Sequence, residues 1–327
     1  MPRATSRFPA PNTGFPYLVF RTTPRDRYLA TMLFEHRVLT SEHIARLAFT
    51  TLRRANQRLA ELTELGIVDR SRANPAVYGS SPYLYTLGPQ GAQLVAGERD
   101  TTMKELRYDR GVLLRQAVRR DLPHTLGCNT AMVRLATRHR TSPDVRLHAW
   151  LGALSCMRRW GDIAPYHREG VRADAYALTS GTAHPTDEQS RFAWFFEYDT
   201  GSESINQLAR KLRGYQNFAH EYRGHYPVLV RVPNTARETR LHEVIAKTHH
   251  IPCTVPVATT TSDDLGAAVW RIVSDEHLPA PVYAGQRSPL SALGFIFTTV
   301  GYRLLEPLTG GDDEDDEYVP APTMDQP

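Results

Sequence analysis

Two segments near the middle of the chain, RADAYAL at residues 172–178 and FAWFFEYD at residues 192–199, predict adjacent β-strands. Residues two apart in a strand lie on the same face, so Glu197 and Asp199 are expected to point the same way. Asp174 falls inside the first strand, where an isolated carboxylate is costly unless it is paired, hydrated or bound to a metal. The two strands therefore predict a small acidic site, which a hard divalent cation would suit.

The pattern around these strands predicts an α/β sandwich over residues 121–275. A helix carrying Lys211 is expected directly after the second strand. The other predicted elements are a helix at 124–140, a strand at 145–150, a strand at 227–232, a helix at 237–248, a strand at 253–257 and a helix at 263–273. Strands alternating with helices favour a sheet that is covered by helices.

The N-terminal part of the chain predicts a different, smaller domain. Apolar residues at helical spacing and turn residues between them predict helices at 24–36, 40–48 and 51–65, strands at 67–70 and 83–87, and a helix from Pro89. Thr40 is a good N-cap, and Gly66 suits the left-handed end of a helix. Three helices followed by a hairpin are typical of a winged helix-turn-helix, which we expect over residues 24–97.

The third of these helices is basic. Leu52, Leu59 and Leu62 are expected to face inward. The side chains expected to contact DNA in the major groove are Arg53, Arg54, Asn56, Gln57 and Arg58. These residue types contact phosphates and purine edges. The hairpin loop at 71–74 would be the wing, with Arg70 and Arg72 contacting the DNA backbone. The alternatives are that the arginines only solvate a surface helix, or that the winged helix contacts protein.

The remaining segments are expected to be connections and ends. Residues 1–23 predict a flexible arm in which 15–20 would dock as a short strand, residues 98–120 a linker helix, and residues 276–327 a C-terminal extension with a disordered acidic tail. The tail would either solubilise the chain or compete with nucleic acid for a basic surface. Because the tail holds seven acids and the net charge is still +4, the rest of the chain is basic, which favours a polyanionic partner.

Composition excludes several classes of protein. No apolar run is long enough to span a membrane, and the N-terminus lacks a secretory layout. The three cysteines stand alone, without a CxxC pair, which favours a reducing compartment. We therefore expect a cytoplasmic protein with no membrane partner. A GxxxxGK[ST] loop is missing, which argues against a helicase-type ATPase.

The order of elements, with Asp174 on one strand, Glu197 on the next and a helix behind them, resembles the restriction-endonuclease-like fold and its PD-(D/E)xK motif. In that family an Asp and a Glu hold Mg²⁺, and a Lys two residues after the Glu steadies the attacking water. Here Asp199 stands where that Lys would be, and no Pro precedes Asp174. The resemblance implies that Lys211 replaces the missing lysine from the following helix.

Together with the predicted winged helix, the chain resembles the replication-relaxation family of plasmids and mobile elements. The segments that carry this resemblance are Leu39–Leu47, Arg53–Arg58, Leu65–Arg70 and Glu197–Glu203, with Lys211 and Tyr215. Membership implies a role in the replication or relaxation of an extrachromosomal element. Double-stranded DNA would be one partner, and a replication or relaxation enzyme is a candidate for another.

Three functions stay open at this point. The first is an accessory or initiator factor that binds DNA and recruits another enzyme. The second is a Mg²⁺-dependent nuclease or nickase in which Asp174 and Glu197 bind the metal, Asp199 is an extra ligand or proton acceptor, and Lys211 offsets phosphate charge. The third is a transcriptional repressor whose α/β domain forms a homodimer or binds a partner. In the first and third, the acids would be structural and paired with Arg172, Arg210 or Lys211.

Overall fold

The structure is a computed structural model of the 327-residue chain. It describes residues 15–72, 82–117, 119–162, 170–181, 190–247, 255–273 and 286–308. The predicted tip of the wing at 73–74 and the predicted acidic tail lie outside the described residues. The chain divides into two compact units, with the boundary between Leu122 and Pro123. None of the helices in the described part combines the length and the apolar character needed to cross a membrane.

The first unit contains helices and a small antiparallel sheet. Its described elements are α1 (Phe15–Arg21), α2 (Pro24–His36), β1 (Leu39–Thr40), α3 (Ser41–Ala48), α4 (Leu52–Glu64), β2 (Val68–Arg72), β3 (Tyr83–Leu87), α5 (Pro89–Glu98) and α6 (Arg110–Gln116). The sheet order is β1-β3-β2. The predicted order of three helices, two strands and a further helix is confirmed by α2 to α5.

Local capping explains where the three predicted helices begin and end. Thr23, Thr40 and Thr51 are the N-caps of α2, α3 and α4, and each side chain accepts a hydrogen bond from the backbone N–H three residues later. Such a bond satisfies one of the unpaired donors in the first turn. After α4 the chain turns at Gly66, whose φ of +70° is the left-handed conformation that glycine adopts at low cost.

The N-terminal arm and the linker differ from expectation. Residues 15–20, expected as a short strand, lie in α1, and Leu18 is fully buried on its inner face. The linker at 98–120 is interrupted, because Arg107 has a φ of +52°, which no helix continues through. The side chain of Asp109 then caps the short helix α6.

Arg58 ties α4 to α2. Its guanidinium donates to both carboxylate oxygens of Asp26, at 3.0 and 2.7 Å, and to the carbonyl of Arg21 at 3.1 Å. Asp26 is completely buried, and burial raises its pKa, but Arg58 and Thr23 outweigh burial and hold the pKa below its usual value. Arg58 is predicted to contact DNA, but in the structure its charge instead stabilises a buried carboxylate.

The second unit is built on a seven-stranded mixed sheet. Its described elements are α7 (Leu122–Arg138, starting at the boundary), β4 (Val145–Gly152), α8 (Ala153–Trp160), β5 (Ala175–Gly181), β6 (Ser190–Tyr198), α9 (Ile205–Tyr222), β7 (Val228–Arg231), α10 (Thr235–Lys247), β8 (Val257–Thr260), β9 (Ala268–Ile272), β10 (Ser288–Pro289) and α11 (Leu290–Thr299). The strand order is β10-β9-β8-β7-β6-β5-β4. Strands β6, β7 and β8 are parallel, and the other neighbours are antiparallel. With a small helical unit and a helix-covered mixed sheet, the chain belongs to the α+β class, as the predicted winged helix-turn-helix followed by an α/β sandwich implies.

Two expectations for this unit are wrong, and one helix was not expected. The helix predicted at 263–273 is a turn followed by β9, in which Trp270 is fully buried and donates its indole N–H to the carbonyl of Leu265. The predicted C-terminal extension is not separate, because β10 and α11 pair with and pack on the sheet. Helix α8 was not predicted.

An aromatic core fixes α9 against β6. The ring of Phe195 on β6 lies with its centroid 5.3 Å from those of Tyr215 and Phe218 on α9, and 5.0 Å from that of Trp160. All four side chains are buried. Large aromatic rings packed at these distances bury much apolar area, so these two elements are held in one register.

The Arg58–Asp26 pair generates a stability prediction. Arg58→Ala should lower the free energy of unfolding by about 3 kcal/mol, because Asp26 would stay buried without its cation. Arg53→Ala, on the exposed side of the same helix, should change it by less than about 0.5 kcal/mol. Urea unfolding of the full chain measures both. Equal effects of the two substitutions would contradict the structural role of Arg58.

Candidate functional site

The outer face of α4 is polar and exposed. The helix buries Ala55, Leu59 and Leu62 at helical spacing. The predicted DNA-contacting side chains that this leaves exposed are Arg53, Arg54, Asn56 and Gln57. Leu52, expected to face inward, is instead 43% exposed at the start of the helix. The face thus combines two cations and two side-chain amides, next to a helix N-terminus.

Two arginines of the hairpin share one tyrosine. Arg70 and Arg72 lie on the same face of β2, and their guanidinium carbons lie 4.7 and 4.4 Å from the ring centroid of Tyr83 on β3. Arg72 also donates a hydrogen bond of 2.7 Å to the tyrosine hydroxyl. Cation–π contacts of this kind hold the guanidinium groups in place while leaving them exposed.

In the second unit, Asp174 lies at the bend that precedes β5, not in the middle of a strand as expected. Its backbone N–H donates to the carbonyl of Phe196 at 3.0 Å, and its carboxylate accepts from the N–H of Tyr198 at 2.8 Å. The same carboxylate oxygen lies 3.0 Å from Nε2 of His124 on α7. Burial lowers the pKa of His124, but the bond to Asp174 outweighs it and the pKa is raised.

Glu197 is the most buried acid of the site, with 2% of its surface exposed. The hydroxyl of Tyr215 donates a short hydrogen bond to one of its oxygens, and Nζ of Lys211 lies 3.7 Å from the other. Burial and the charge of Asp174 raise the pKa of Glu197 to about 8, against the opposing effect of Lys211. Ionisation of Glu197 is therefore disfavoured compared with that of an exposed glutamate.

Lys211 projects from α9 towards both predicted acids. Burial lowers its pKa, but the charges of Glu197, Asp174 and Glu203 outweigh burial, and the pKa is raised. Its Nζ lies 3.2 Å from a carboxylate oxygen of Glu203. The structure thus places Asp174, Glu197 and Lys211 close enough to interact electrostatically.

Asp199 does not join this group. Strand β6 ends at Tyr198, so the alternation that would align Asp199 with Glu197 stops before it. Its carboxylate is paired with Arg237 of α10, with one contact of 2.9 Å, and accepts from the N–H of Gly201 at 2.8 Å. The expectation that Asp199 shares the site as a ligand or proton acceptor is therefore wrong.

His124 is not among the site residues predicted from the sequence. Its position depends on Gly127, a glycine one turn later on α7. A Cβ on Gly127 would come within 2.3 Å of the Tyr198 ring, so only glycine lets α7 approach β6 this closely. The close approach brings His124 to Asp174. A glycine inside an otherwise helical segment was the signal available in the sequence.

Each of the two acids, Asp174 and Glu197, keeps a carboxylate oxygen that accepts no hydrogen bond from the described residues, and on Glu197 this is the oxygen that faces Lys211. Mg²⁺ commonly takes one or two carboxylates and keeps several waters. A cation there would also favour the ionised form of Glu197. Among the described residues, no group of three or more His, Cys, Asp and Glu side chains is arranged to hold a metal.

Comparison of the sequence with models of protein families identifies the family of the chain. The model of a family described as replication-relaxation matches residues 31–229, from α2 into β7. The chain belongs to the replication-relaxation family. The match covers the exposed face of α4 and the acidic site alike. No curated protein and no solved structure matched the chain. Membership suggests a role in the replication or relaxation of a plasmid or mobile element.

The glycine under Tyr198 gives a second prediction. Gly127→Ala should lower the free energy of unfolding by about 1–3 kcal/mol, because the added methyl group overlaps a buried ring. Arg134→Ala, on the exposed side of the same helix, should change it by less than about 0.5 kcal/mol. Thermal unfolding measures both. If Gly127→Ala is as stable as the control, α7 does not pack on β6 as described.

Proposed function

We propose that this member of the replication-relaxation family binds double-stranded DNA through its first unit, which acts as a winged helix-turn-helix. The observation that carries the proposal is the exposed polar face of α4, with Arg53, Arg54, Asn56 and Gln57 side by side. The protein would serve the replication or relaxation of a plasmid or mobile element as an accessory or initiator factor.

The chemistry of α4 suits a recognition helix. Arginine forms paired hydrogen bonds with guanine edges, and asparagine and glutamine do so with adenine. The same arginines neutralise phosphates where they do not reach bases. Because α3 is joined to α4 by only a few residues and Ala55 and Leu59 anchor α4 inside, its outer face is presented on a rigid element.

The hairpin supplies the wing of the proposed fold. Arg70 and Arg72 are held by the Tyr83 ring, so less side-chain entropy would be lost when they contact a phosphate. Both are exposed on one strand face. Their contact would be with the backbone and would fix orientation without reading sequence.

The salt dependence of binding tests this proposal. Arg53→Ala/Arg54→Ala should weaken binding to a labelled duplex and lower the slope of log K against log salt by up to about 2, since each lost phosphate contact removes about one released counterion. Fluorescence anisotropy over a salt series gives both values.

The matched control is Arg115→Ala/Arg120→Ala, which removes the same charge from exposed positions outside α4. We expect little change in its slope. An Arg53/Arg54 variant that binds with the affinity and slope of the wild type would overturn the proposal. Footprinting on the host element then distinguishes roles, because protection at an origin favours a replication factor and protection over a promoter favours a repressor.

A second candidate function is metal-dependent DNA cleavage, and the proximity of Asp174, Glu197 and Lys211 favours it. Asp174 and Glu197 would hold Mg²⁺, which when bound supplies an activated water and offsets charge on the phosphate. His124 would orient Asp174, Tyr215 would orient Glu197, and Lys211 would balance part of the phosphate charge.

Nicking of supercoiled plasmid in Mg²⁺ or Mn²⁺ tests this candidate. Glu197→Gln keeps the size of the side chain and an oxygen that accepts from Tyr215, so we expect the variant to fold normally. Its nicking rate should fall by about 100-fold, because changing even the outer-shell partners of a metal costs about 10–100-fold. A wild type that does not nick, or a variant that nicks equally well, removes cleavage from consideration and leaves the binding role.

A further inference from the structure

A basic pocket lies beside the acidic site. It has a volume of about 220 Å³, and Arg172, Arg210 and Lys211 line it, with Glu197 forming part of its wall. Arg172 comes from the extended segment before β5, and the other two cations come from the first half of α9. Three cations from two elements therefore converge on one opening.

Among the described residues, acids lie close to Lys211 but not to the two arginines. Lys211 is close to the carboxylates of Glu197 and Glu203. Arg172 and Arg210 are exposed and make no ion pair or hydrogen bond with any residue that the structure describes. Of the three cations that were expected as alternative partners of the acids, Lys211 is therefore the one that lies against Glu197 among the described residues. Among the described residues, the positive charge of the pocket that no acid balances is carried by these two guanidinium groups.

Two glycines form part of the wall of the pocket. A Cβ on Gly214 would come within 2.5 Å of the carbonyl oxygen of Gly170, so α9 approaches this segment closely only because residue 214 has no side chain. The approach sets Arg210 and Lys211 against the segment that carries Arg172. Tyr215 is the one aromatic side chain among the described residues that line the pocket.

We propose that Arg172 and Arg210, with Lys211, bind one phosphate group of a DNA backbone. This inference rests on the proposed DNA binding and adds a contact in the second unit to that of α4. Guanidinium groups bind phosphate oxygens through paired, charge-assisted hydrogen bonds, and two guanidinium groups that lack partners among the described residues would attract a singly charged phosphodiester. The phosphate would then lie beside Glu197.

DNA binding by the full chain tests the pocket. Arg172→Ala/Arg210→Ala should lower the salt slope by about 1, because one phosphate contact is lost, and should weaken binding roughly tenfold. The control Arg158→Ala/Arg213→Ala removes two exposed arginines of the same unit that do not line the pocket, and should leave the slope unchanged. A pocket variant with the slope and affinity of the wild type overturns the proposal.

Two further measurements distinguish a contact with DNA from a site for small anions. Arg172→Lys/Arg210→Lys should restore most of the salt slope but only part of the affinity, because lysine keeps the charge without the paired geometry. Inorganic phosphate, at constant ionic strength, should raise the melting temperature of the wild type more than that of the alanine variant. Stabilisation by phosphate with no change in DNA binding would mean a small-anion site, and would overturn a DNA contact.

The same assay keeps the two proposals distinct. If Arg53→Ala/Arg54→Ala leaves DNA binding unchanged while the pocket variant weakens it, the role of α4 fails and the pocket stands. If only the α4 variant weakens binding, the pocket proposal fails and the winged helix-turn-helix proposal stands.

Discussion

The hydrogen bond from Tyr215 to Glu197 is the interaction on which the site of the second unit depends. A carboxyl group buried in the middle of a sheet is costly unless a partner satisfies it. Tyr215 supplies that partner from α9, and its ring packs on Phe195, two residues before Glu197. The helix that satisfies the acid also carries Arg210 and Lys211, so one constraint fixes the acid, the lysine and the pocket together.

The molecule places basic surfaces on both of its units, and each has a different structural origin. On α4 the polar face is what remains after Ala55, Leu59 and Leu62 are buried. In the second unit the positive charge is local, because Arg172 and Arg210 stay unpaired within the described residues while Lys211 is balanced by acids. The proposed DNA-binding role would use both surfaces without requiring cleavage.

Local signals in the sequence predicted most of the first unit. Threonine caps and Gly66 fix the ends of α2, α3 and α4, and each acts within a few residues. Contacts between distant residues could not be predicted in this way. The pairing of Arg58 could not be predicted in this way, because its buried partner, Asp26, lies 32 residues away in the sequence. Asp199 was predicted to lie on the same face as Glu197 because alternation in the sequence does not show where a strand ends. The residue at which β6 ends depends on its neighbours in the sheet.

Amide hydrogen exchange of the full chain, with and without a DNA duplex, tests the central claim most directly. The account predicts slower exchange on DNA binding in residues 52–64 of α4, with a second protected region at the start of α9. Protection elsewhere with no change across 52–64 would contradict it.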